Sequence, residues 1–141
     1  MTDQTDAQRS DRILNDQPPL ARLMGIEILS GSKERVVARM RVVEEVTNRN
    51  GVMHGGAIMA FADNLGGTLA SLHLADDQIT TTSESRTYFL RGIPPGEYAS
   101  GVATALHTGR RTMVVETRIT REDGKLAAIV TQTQMMIPRE R

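Results

Sequence analysis

Residues 47–75 read TNRNGVMHGGAIMAFADNLGGTLASLHLA. A polar loop runs through Asn48 and Asn50 into His54, Gly55 and Gly56. The segment with helical periodicity follows. Ile58, Phe61, Ala62, Leu65, Leu69 and Leu72 fall on one stripe at about 100° per residue. Asp63 lies roughly 140° off that stripe. Met59, Gly66, Gly67 and Ala70 surround it on the same side. A glycine inside a helix costs about 1 kcal/mol relative to alanine. Two adjacent ones therefore predict that a backbone or a ligand comes close to this face.

The start of the helix is its chemically active end. Backbone N–H groups there lack intrahelical partners and carry partial positive charge. Gly55 and Gly56 place no Cβ in the way of a ligand. Such a site suits a carbonyl oxygen that gains negative charge, and it also suits a phosphate. A bare His-Gly-Gly is equally a tight turn entering a helix. Asp63 is eight residues further on, roughly 12 Å along the axis at 1.5 Å per residue. One chain does not easily bring its carboxylate and the helix start to one reacting carbon. Two helices packed antiparallel in a symmetric dimer would.

Asn48, the run Gly51-x-x-His54-Gly55-Gly56, Asp63 and the following Gly66-Gly67 resemble the hotdog-fold acyl-CoA thioesterases of the phenylacetate-pathway (PaaI) type. Phe89-Leu90-Arg91 and His107-Thr108-Gly109-Arg110 extend the resemblance over roughly residues 18–137. The spaced combination is far more specific than any one part. It implies an α+β fold, an antiparallel sheet wrapped around a long central helix, assembled as a dimer or a dimer of dimers. It implies hydrolysis of an acyl-CoA thioester, with no cofactor because coenzyme A is part of the substrate. Carried over, Asp63 of the facing subunit acts as general base or nucleophile, and the Gly56 N–H polarises the carbonyl. Gly55 lines the substrate and supplies the bend. Asn48 holds the water or the carbonyl, and His54 positions the loop or the thioester. A hydroxyl at Thr81, or at Thr82 or Ser83 after a small shift, places the water. Arg110 and Arg111 suit the phosphates of coenzyme A through charge-assisted hydrogen bonds; they also read as a solvated loop. A non-catalytic acyl-CoA-binding module and a dehydratase acting on carrier-protein thioesters remain as alternatives on the same fold. Asp63 argues against the first, and its placement after the His-Gly-Gly run fits hydrolysis better than dehydration.

The 141 residues suit one domain. The hydrophobic fraction is 39% and the charged fraction 24%, ordinary for a soluble protein. Lys plus Arg equals Asp plus Glu at 17 each, so nothing draws the chain to nucleic acid or an anionic membrane. The absence of cysteine excludes disulfides, thiolate metal sites and cysteine nucleophiles. His54, His73 and His107 lack metal-ligand spacing. No long apolar run or signal-peptide core is present, which predicts a cytoplasmic protein.

Residues 1–17 predict a flexible tail or short surface helix, and 18–141 the domain. Pro18-Pro19 opens a short helix that Gly25 ends. Ile26–Leu29, Val36–Val42, Ile79–Leu90, Tyr98–Leu106, Met113–Ile119 and Leu126–Ile137 predict six strands. In the third, plain alternation sets Thr81, Ser83 and Ser85 on one face and Thr82, Glu84 and Arg86 on the other. Glu84 and Arg86 could pair there or simply be solvated. Strands that follow a single long helix point to an antiparallel sheet.

Overall fold

The computed structural model describes residues 5–140. The strands are β1 (Glu27–Gly31), β2 (Arg35–Arg41), β3 (Gln78–Phe89), β4 (Tyr98–Thr108), β5 (Thr112–Thr120) and β6 (Leu126–Pro138). They form one antiparallel sheet in the order β1-β2-β4-β5-β6-β3. The helices are α1 (Asp6–Asn15), α2 (Pro19–Met24) and α3 (Gly55–Ser71). The expected hotdog architecture is present: α3 lies across the concave face and touches β2, β4, β5, β6 and β3.

The periodicity of α3 explains its place. All six stripe residues are buried, with Phe61, Ala62, Leu65 and Leu69 fully so. They meet an inward row from the sheet that includes Val36, Ala38, Met40, Ala103, Met113, Val115, Ile119 and Val130. Burying one such aliphatic or aromatic side chain contributes roughly 1.5–3 kcal/mol. The stripe therefore holds a helix that Gly55, Gly56, Gly66 and Gly67 would disfavour by propensity alone.

The strand boundaries follow the turn residues. Gly25, at φ +73°, ends α2 in the left-handed conformation that glycine adopts without penalty. Asp123-Gly124 closes the β5–β6 hairpin. Arg121 donates to Asp123, and that guanidinium, with the Lys125 N–H, lowers the Asp123 carboxyl to about 2.

Two open expectations are resolved and one is overturned. Of the tail or short helix expected over residues 1–17, Asp6–Asn15 is a helix; residues 1–4 lie outside the described residues. Thr5 and Gln8 close a reciprocal capping box at its start. Ile13 and Leu14, the only large aliphatics of that segment, pack against the core. Next, a bulge at Ser83 shifts the register of β3 against β6. An inserted residue reverses the alternation beyond it. Thr80 and Thr82 face α3, and so do Ser85, Thr87 and Phe89, opposite Gln132, Val130 and Ala128. Glu84 and Arg86 point to the outer face, so Thr82 does not share their side. Finally, Glu84 and Arg86 form no ion pair among the described residues; Arg86 lies over the Tyr88 ring at 5.1 Å.

Candidate active site

Asp63 sits on the exposed edge of α3, beside β3. Its Oδ1 accepts a hydrogen bond from the Thr82 hydroxyl at 2.6 Å and another from Gln132 Nε2 at 3.0 Å. Gln134 Nε2 donates to Thr82 Oγ1 at 2.6 Å, and the Thr80 hydroxyl donates to Gln134 Oε1 at 2.9 Å. Among the described residues only Oδ1 is engaged, so Oδ2 is open. The carboxylate faces a depression of about 390 Å³, lined also by Gln17, Asn64, Gly67, Ser71 and Thr80. The α1–α2 connection forms its far wall, where Asn64 Nδ2 donates to Gln17 Oε1 at 2.8 Å.

The hydroxyl beside Asp63 thus belongs to Thr82. Thr81 also borders the depression, but the alternation turns it to the other face of β3, where it is exposed and makes no hydrogen bond to Asp63. The reason is the period of two: Thr80 and Thr82 turn inward together, and Thr81 turns outward.

The start of α3 forms a second depression, of about 360 Å³, lined by Asn48, Val52, Gly55, Phe89, Leu90 and Arg91 among others. His54 is the N-cap residue, and its Nδ1 accepts the Gly56 N–H at 2.8 Å. That bond fixes the tautomer, with the ring proton on Nε2. The Gly56 N–H, expected to polarise the carbonyl, is engaged within the cap. Neither the Gly55 nor the Ala57 N–H has an acceptor among the described residues; of the two, Gly55, at the first helical position and beside the Phe89 ring, borders the second depression. His54 thereby caps the helix start.

Asn48 serves the loop first. Its Oδ1 accepts from the Asn50 N–H at 3.0 Å and the Val52 N–H at 3.3 Å. This is the Asx-type turn that its composition favours. Among the described residues its Nδ2 is unpaired, and it borders the second depression.

The two depressions share no lining residue. Asp63 and Gly55 lie on one helix but serve different hollows, as the helical rise requires. Arg110 and Arg111 line neither. They are exposed in the β4–β5 turn. Thr112, Met135 and Thr81 form one row across β5, β6 and β3. At about 4.8 Å between strands, that turn lies roughly 10 Å from the Asp63 end of β3.

Gln132 and Gln134 were missed by sequence reasoning, although a signal was there. In β6 the inward row runs Ala128, Val130, Gln132, Gln134, Met136. Two amides inside an apolar row need a polar partner. No cluster able to hold a metal ion occurs among the described residues. No helix among them is long and apolar enough to cross a membrane.

A carboxylate with one oxygen pinned and one open can activate a water. A helix start with a free N–H can hold a carbonyl oxygen as it takes up charge. On this fold, such a pair of groups suits the hydrolysis of thioesters. The chain belongs to the thioesterase superfamily, which it matches over residues 50–128. It is 32% identical to the esterase PA1618 of Pseudomonas aeruginosa over 82% of this chain and 80% of that protein. A solved single-site variant of that thioesterase superposes with a TM-score of 0.85 at 27% identity, covering 92% of this chain and 94% of that one. The 1,4-dihydroxy-2-naphthoyl-CoA hydrolase of Listeria monocytogenes is 32% identical over 78% of this chain and 89% of its own. PaaI of E. coli shares the fold, with a TM-score of 0.84 at 22% identity over 94% of each chain.

Proposed function

We propose that this thioesterase hydrolyses acyl-coenzyme A in a symmetric dimer, with Asp63 of one subunit facing Gly55 of the other. The observation that carries this is the division of the two functional groups between separate depressions. β3 suggests how they meet. It is an edge strand of 12 residues beside both depressions. Asp63 lies near its start, through Thr82, and Gly55 near its end, through Phe89. An unpaired edge is a template for another strand. Pairing two copies of β3 antiparallel about a two-fold axis sets the start of one beside the end of the other. Each carboxylate then approaches the partner's helix start. Two such dimers can pair further into a tetramer.

In that site the thioester carbonyl oxygen accepts the Gly55 N–H. Asn48 Nδ2 borders the same hollow and can donate to the carbonyl or to the water. Asp63 Oδ2 takes a proton from water, whose oxygen attacks the carbonyl carbon. The C–S bond breaks, and the coenzyme A thiolate leaves and takes up the proton. Water fits the open hollow beside Oδ2, which favours a general base over direct attack by the carboxylate. The acyl group lies over Gly67 on the Asp63 face. The acyl-CoA class is supported by the Listeria relative, which is named for a coenzyme A thioester.

Thiol release from a panel of aryl, short-chain and medium-chain acyl-CoAs tests the reading. Turnover of at least one class is expected. No turnover of any member would overturn it and favour a binding module. Arg110 and Arg111 lie at the Asp63 end of the sheet and are the candidates for the phosphates. Replacing both by alanine is expected to raise KM about tenfold at low salt with kcat unchanged. The effect should shrink as salt rises. It should be absent with an N-acetylcysteamine thioester, which has no phosphate.

A further inference from the structure

Gln132 lies in the middle of β6 and is 1% exposed. Burying an amide costs free energy unless it is hydrogen-bonded. Its Oε1 is buried and finds no partner among the described residues. A residue kept only to fill space would do better as methionine, of similar length and without the desolvation cost. What the amide adds is Nε2, 3.0 Å from Asp63 Oδ1.

The direction of the network follows from the carboxylate. Ionised Asp63 can only accept. Thr82 must therefore donate its proton to Oδ1, and its lone pairs take the N–H of Gln134. Gln132 supplies the second donor to the same oxygen. The terminal torsion of aspartate is otherwise broad. A carboxylate free to turn would present either oxygen over a range of angles. Two donors on Oδ1 fix its plane and leave Oδ2 outward.

The helix is built around this contact. A Cβ on Gly66 would lie 2.2 Å from Gln132 Oε1. Only glycine lets the glutamine pass beneath α3 to reach Asp63.

We propose that Gln132 is a positioning residue that locks Asp63 with Oδ2 turned to the attacking water. The proposal rests on Asp63 being the working carboxylate. It is tested in the whole protein with Gln132→Met, Gln132→Glu and Asp63→Asn, using the best acyl-CoA of the panel above. Gln132→Met is expected to lose roughly ten- to a hundredfold in kcat, the worth of one hydrogen bond to a charged group, with KM within about twofold. Gln132→Glu keeps the side-chain length and sets a second carboxylate against Asp63, so one proton is shared between them. The acid limb of its kcat–pH profile should move up by about 1–2 pH units. A glutamine that only filled the core, out of contact with Asp63, would lower the melting temperature and leave both kcat and that limb in place. Wild-type kcat in Gln132→Met together with an unmoved limb in Gln132→Glu overturns the positioning role. If Asp63→Asn is inactive in the same series, the assignment of Asp63 survives that result. Full activity in Asp63→Asn overturns both, and that single variant reveals it. Gln132→Glu carries the test if Gln132→Met fails to fold.

Discussion

Asp63→Asn is expected to lower kcat by about 10²–10⁴-fold, the usual worth of a positioned general base. Asparagine is the better probe than alanine. Its Oδ1 can still accept from Thr82 and Gln132, so the buried amide keeps its partner and the fold is spared. Alanine would leave Gln132 Nε2 with only its 3.4 Å contact to Thr82 Oγ1, at a cost of up to about 1–3 kcal/mol. The subunit arrangement adds a second arm. Gly55→Pro removes the free N–H and little else. Proline is favoured at the first helical position, and His54, at ψ 136°, already has the extended backbone that must precede it. A Cβ there comes nearest to the Phe89 ring, at 3.2 Å, and that exposed side chain must give by a few tenths of an ångström. Each variant alone should be inactive. Subunits of the two, unfolded and reassembled together at equal amounts, should recover about a quarter of wild-type turnover. Half of the random dimers are mixed, and each of those carries one intact site of two. Recovery near zero, with mixed dimers shown to form, would mean that both groups act within one chain.

The adjacent glycines of α3 should respond in opposite directions. Gly66→Ala sets a methyl 2.2 Å from Gln132 Oε1 and 2.4 Å from its Cδ. The glutamine must move, and its bond to Asp63 goes with it. Overpacking costs about 1–3 kcal/mol, against which alanine regains about 1 through helix propensity. A net loss of up to about 2 kcal/mol is expected, with kcat reduced at least tenfold. At Gly67 a Cβ meets nothing within 4 Å. Gly67→Ala is expected to gain about 0.5–1 kcal/mol. At the few degrees per kcal/mol typical of a domain this size, a melting curve separates the two. Because Gly67 borders the Asp63 hollow, its variant should also raise KM for bulky acyl groups more than for short ones. Equal effects at the two positions would show that the close contact at Gly66 is not what holds Gln132.

How much of this was legible beforehand depends on the range of the interaction. The six strands, the α3 stripe and the turns at Gly25 and Asp123-Gly124 are set by neighbours in the chain. Periodicity and backbone preference report them directly. The spaced motif around His54 and Asp63 was readable for the same reason, since one loop and one helix carry it. Even the conflict between Asp63 and the helix start was visible, because the rise of a helix is fixed.

What the motif did not reveal was which atoms are free. Gly55 and Gly56 look alike in sequence. Only the rotamer of His54, which turns Nδ1 onto the Gly56 N–H, decides that Gly55 keeps the open donor. Thr81 and Thr82 look alike as well. The pairing of β3 with β6 decides which one turns toward α3, and the bulge at Ser83 reverses the alternation beyond them. Gln132 meets Asp63 across 69 positions of chain. Periodicity cannot report a contact that exists only after the sheet has curled around the helix. The sequence alone determined the class of the protein, its central helix and its six strands. The tertiary structure decided the hydrogen-bond partners, because each polar group is satisfied by whatever the packed fold brings within about 3 Å of it.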